Sequence, residues 1–126
     1  MPNSNSPDIV SLSDTAYEAV QSITRLEFPR GLPAPIAYDA LDSLQALSHM
    51  QSDVLGAIAD ALGRSLEEYD VYDEDGADPA QAAATAVDHL VLASRLARQM
   101  GLHLERAQGA ISRQNYRTAR GQEERA

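Results

Sequence analysis

Apolar residues recur at steps of three and four along most of this chain, and nowhere do they alternate at a step of two. Steps of three and four place side chains on one side of an α-helix, which turns once in about 3.6 residues. The first such stripe runs through Ala16, Val20 and Ile23, with Tyr17 and Leu26 at its flanks. It predicts a helix beginning near Ser11 or Ser13, either of which can cap it, with Asp14 well placed in the first turn against the helix dipole. The prolines of "FPRGLPAPIAY" end that helix. Pro35 then falls in the first turn of the next, where a missing amide proton costs nothing.

From Ala34 onward, Leu41, Leu44, Leu47, Val54, Leu55, Ile58, Leu62 and Leu66 keep helical register, with Asp39, Asp42, His49, Asp53 and Asp60 mostly on the other side. This predicts one long second helix. The competing reading breaks it at Ser48, because "SHMQ" matches the Ser-x-x-Gln capping box. Gly56 and Gly63 each weaken a helix by ~1 kcal/mol relative to alanine, or else admit a close neighbour. The third helix is announced by "DPAQ": Asp78 caps by accepting from the amide of Gln81, Pro79 takes the first helical position, and Gln81 reaches back. Ala83, Val87, Leu90, Val91, Ala97, Leu104 and Ile111 form its apolar stripe, widened by Leu92, Leu96 and Met100. Asp88, Arg95, Arg98, Gln99 and Arg106 form its wet side.

The predicted fold is therefore all-α: a long antiparallel helical hairpin plus a shorter N-terminal helix, a bundle completed by dimerisation. Residues 1–10 are expected to be a flexible N-terminus, 11–112 a single helical-bundle domain, and 113–126 a flexible basic tail. No strand is expected.

Charge divides the chain unevenly. Residues 1–105 hold seventeen carboxylates against five arginines, and 106–126 hold five arginines against two glutamates, within a net charge of −9. An acidic body repels phosphate backbones, which disfavours nucleic-acid binding unless the tail alone supplies it. At helical spacing Arg106, Arg113, Arg117 and Arg120 fall near one face, a candidate polyanion contact. All ten basic residues are arginine, which reads as the bias of a GC-rich, bacterial genome. With no cysteine, thiol nucleophiles, disulfides and cysteine metal sites are excluded. The start of the chain has no signal-peptide pattern and no run is apolar enough to span a membrane, so a cytoplasmic location is expected.

The acidic stretch "LEEYDVYDEDGADPAQ" invites comparison with a calcium loop. Setting Gly76 at the sixth position of an EF-hand places Asp73 and Asp75 correctly, but puts Val71 at position 1 and Ala82 at position 12, where ligands are needed. The stretch is expected to be a hairpin turn and not a metal site. None of His49, His89 and His103 belongs to the Glu-x-x-His pair of di-metal bundles, and no nucleophile elbow or phosphate loop occurs. The WXG100 helical hairpins carry a Trp-x-Gly turn, which this tryptophan-free chain lacks. No catalytic set, metal or cofactor is expected.

What remains is apolar surface. A short first helix covers only the half of the hairpin far from its loop, if it packs back along the second helix. The loop-proximal residues Val54, Leu55, Ile58, Leu62, Leu66, Val87, Leu90, Val91 and Leu92 then lack a third layer, and an open apolar patch usually marks a partner site. The reading that follows is a non-enzymatic interaction or dimerisation module, a homodimer with a protein partner. Its alternatives are an accessory nucleic-acid protein using the arginine tail and a metal-dependent helical-bundle enzyme.

Overall fold

A computed structural model describes residues 5–118 and 123–124, with side chains from residue 8 to residue 118. Its elements are α1 (Asn5–Thr24), α2 (Ala34–Glu68), α3 (Pro79–Ala110) and two very short strands, β1 (Tyr116–Arg117) and β2 (Glu123–Glu124). The chain divides into two compact units, Met1–Leu32 and Pro33–Ala126, each described by itself.

In the first unit α1 begins at Asn5, well before the expected caps. Asp8 occupies its first turn, which suits the positive end of the helix dipole. Ser13 and Thr15 lie inside the helix, where their hydroxyls donate back to the carbonyls of Ile9 (2.7 Å) and Ser11 (3.1 Å) instead of capping a terminus. The unit closes in a turn in which the Gly31 amide donates to the Phe28 carbonyl at 2.8 Å, with Gly31 at φ 80°. Glycine takes that left-handed conformation without steric cost.

The second unit is the predicted hairpin: α2 and α3 pack together along their length. α2 runs unbroken through Ser48, which is buried at 2 % exposure in mid-helix, so the capping-box alternative is excluded. Asp78 caps α3 as expected, but its carboxylate accepts from the amide of Ala80 (3.0 Å), one residue earlier than predicted. In the loop, Asp73 Oδ1 accepts from the amides of Asp75 (2.8 Å) and Ala77 (3.3 Å), while Gly76 adopts φ 81°. Two carboxylates of the acidic stretch thus shape the backbone that reverses the chain.

The seam between α2 and α3 differs from a leucine-rich core. Its buried residues are Ser48, Ser52 and Ala59 on α2, and Ala97, Gly101 and Gln108 on α3. The serines, alanines and glycine among them let two helix backbones approach closely, and Ser52 and Gln108 make hydrogen bonds across the seam. Ser94 donates its one proton to the Ser52 carbonyl (2.8 Å), so the 2.9 Å contact between the two hydroxyls takes its proton from Ser52. Gln108 Nε2 donates to the Tyr38 carbonyl (3.2 Å) and to Asp42 Oδ1 (3.1 Å), tying the end of α3 to the start of α2. His49 lies against Gly101, where an added Cβ would meet its ring at 2.8 Å. The sequence placed His49 and Asp42 away from the apolar side; instead both engage α3. Gly56 and Gly63 are not breaks, because α2 is continuous through both, and not notches, because nothing beyond their own stretch of helix lies within 4 Å of the position of an added Cβ.

Candidate interaction surface

Seven charged residues lie on α2, namely Asp39, Asp42, Asp53, Asp60, Arg64, Glu67 and Glu68. At 3.6 residues per turn they fall within one sector of roughly 100°. The five on α3, Asp88, Arg95, Arg98, Glu105 and Arg106, fall within a similar sector of roughly 100°. Arg98 reaches Asp53 at 4.0 Å across the hairpin, so both sectors lie on the same face. That pair is solvent-exposed and adds little stability, but it orients the molecule.

The opposite face of the hairpin carries no Asp, Glu or Arg. On α2 it presents Leu47, Val54 and Ile58, with Met50 on its boundary with the charged sector, in the same helical direction as Glu68; on α3 it presents Leu96 and Met100, with Leu92 at the outer edge. Met50 is 57 % exposed, Val54 50 %, Leu92 51 %, Leu96 64 % and Met100 49 %. These values are high for large apolar side chains on one side of a helical hairpin. His89 and His103 flank the α3 row, and both are exposed. Lone exposed apolar residues are ordinary, whereas a contiguous apolar patch marks a contact surface.

The residues the sequence singled out divide among three environments. Leu55, Ile58, Leu62, Leu66, Val87 and Leu90 are half-buried, and all but Ile58 lie toward the seam. Val54 and Leu92 are exposed on the charge-free side, while Val91 is exposed on the charged side. Leu47, Leu96 and Met100 belong to the exposed face and Met50 borders it; the sequence set Leu47, Leu96 and Met100 on the helix stripes but not in the open patch, and did not name Met50. The signal was present in the chain: the sector that excludes charge is wider than the seam needs.

The arginine candidates do not share a helical face. α3 ends at Ala110, so Arg106 is on the helix, Arg113 is in the turn beyond it and Arg117 is in β1. Arg117 stands opposite Glu123 in the antiparallel pairing of β1 and β2. These strands are the exception to the expectation of no strand. Arg120 lies outside the described residues. Among the described residues no group of three His, Asp or Glu side chains is placed to hold a metal ion, and no helix is long and apolar enough to cross a membrane. A shallow cleft of about 290 Å³ lies at the loop end, lined by Leu62, Leu66, Val71, Tyr72, Pro79 and Ala86 among others. A second, of about 270 Å³, lies at the other end beside Pro35, Tyr38 and Ile111.

No protein-family model matches the chain, and neither a curated protein nor a solved structure matches it.

Proposed function

We propose that this protein is a non-enzymatic helical interaction module that acts as a homodimer. The observation that carries the reading is the separation of charge from apolar surface on the hairpin. A two-helix hairpin buries one stripe per helix, and here that stripe is already used by the seam. The second apolar row on each helix is left facing outward, which is the arrangement of a bundle that needs further helices to complete it. Covering Val54, Leu96 and Met100 removes apolar area from water at about 25 cal/mol per Å², the dominant favourable contribution to most protein association. The acidic loop is then a turn and the charged face keeps the assembly hydrated.

Light scattering across micromolar concentrations tests this directly. The expected mass is twice that of the 13.6 kDa chain. A 13.6 kDa species throughout the range would remove the homodimer.

A further inference from the structure

We infer that the partner seated on the charge-free face is a second copy of this chain, turned end for end about a two-fold axis that crosses the hairpin at Val54 and Leu96. This arrangement rests on the dimer reading above and specifies its geometry. Along α3 the face reads His89, Leu92, Leu96, Met100, His103, which is symmetric in spacing about Leu96 and close to symmetric in chemistry. Along α2, Met50 and Ile58 are equidistant from Val54. The cross-seam contacts show that the two centres lie at one level. Ser52 touches Ser94, Asp53 reaches Arg98 and His49 meets Gly101, so Val54 stands nearly level with Leu96 on the facing helix. A two-fold axis lying in the face at that level, perpendicular to the helices, maps both rows onto themselves.

Such self-complementarity is what an isologous interface requires, since the same patch serves both subunits. Under this rotation α2 crosses its partner's α2 antiparallel and α3 crosses its partner's α3. Leu92 then meets the position of Met100, Met50 that of Ile58 and Leu47 that of Ala61, apolar against apolar, while at the two ends of the α3 row His89 meets the position of His103. Charge selects the same face. Over both helices the charged face holds eight carboxylates against four arginines, six of the carboxylates on α2, so docking two copies through it with α2 on α2 sets like charges together. The charge-free face brings no such repulsion.

The chain has no cysteine, so single cysteines report the geometry without background. Val54→Cys and Leu96→Cys replace exposed side chains and leave the seam intact; Asp60→Cys on the charged face is the control. Each variant is mixed with a mild oxidant, and covalent dimer is read on a non-reducing gel beside the sedimentation of the untreated protein. The expected result is covalent dimer from Val54→Cys alone and from Leu96→Cys alone, at least tenfold above Asp60→Cys. A dimer that cross-links only when Val54→Cys and Leu96→Cys are mixed places the axis along the helices and overturns the arrangement. A dimer that cross-links best through Asp60→Cys, or through none of the three, overturns it as well while leaving the dimer reading standing. A monomer removes both, and slow maleimide labelling of the Val54→Cys variant in that monomer means that something other than a second copy covers the face.

Discussion

Three glycines on similar helical backbones separate local propensity from packing. At Gly56 and Gly63 an added methyl meets nothing within 4 Å, so Gly56→Ala is expected to stabilise the protein by ~1 kcal/mol through helix propensity alone. At Gly101 the same methyl meets His49 at 2.8 Å. Overpacking typically costs ~1–3 kcal/mol, which outweighs the propensity gain, so Gly101→Ala is expected to destabilise. In a His49→Ala background it should instead stabilise. Urea melts of the four proteins check both signs; a stabilising Gly101→Ala in the native background would mean that the histidine ring yields freely. Gln45 supplies a third case, because its Oε1 is buried without a hydrogen-bond partner. An unsatisfied buried polar atom costs ~1–3 kcal/mol, so Gln45→Leu is expected to raise the urea midpoint. None of this was legible from sequence. A glycine's neighbours are set by tertiary contact; Ser48 reads locally as a helix cap, and nothing local marks Gly101 or Ser52 as seam residues until the facing helix is in place.

At the scale of elements, the helices that packing demands were legible and their ends were less so. The "DPAQ" signal located α3 to the residue, because a cap and a proline in the first turn are local chemistry. The start of α1 was missed because Ser11 and Ser13 resemble caps, and a serine inside a helix satisfies itself by donating four residues back. The acidic loop carries its own prediction. Asp73 and Asp78 are committed to backbone amides, so millimolar calcium is expected to leave the melting temperature within about a degree; a site filled a hundredfold above its Kd adds ~2.7 kcal/mol, a shift of many degrees. A large rise, abolished by Asp73→Asn with Asp75→Asn, would contradict this. The C-terminal arginines are expected to give no measurable duplex-DNA binding at physiological salt. α3 stops at Ala110, before it can align Arg113 and Arg117 with Arg106 on one helical face. Four phosphate contacts would instead give a log–log salt slope near −4, at about −0.9 per contact.

For the whole molecule, the hairpin was legible from periodicity and loop length, whereas its inner and outer faces were not. Sequence reasoning set the large apolar residues on the helix stripes and left Val54, Leu55, Ile58, Leu62, Leu66, Val87, Leu90, Val91 and Leu92 as one open patch, yet the tightest part of the seam is built from Ser48, Ser52, Ala59, Ala97 and Gly101. Small residues bring the helices together and push part of the apolar inventory outward, and that displaced inventory forms the proposed dimer face. Val91 and Leu96 separate this account from a general stickiness of α3. Both are exposed and apolar on one helix, but Val91 sits among the charges and Leu96 at the centre of the charge-free row. Sedimentation equilibrium of Leu96→Asp and Val91→Asp, beside the parent protein, is the most direct test. The predicted result is a helical monomer for Leu96→Asp and an unaltered dimer for Val91→Asp. A dimer that survives Leu96→Asp, or one lost equally in both variants, would contradict the assignment of the interface to the charge-free face.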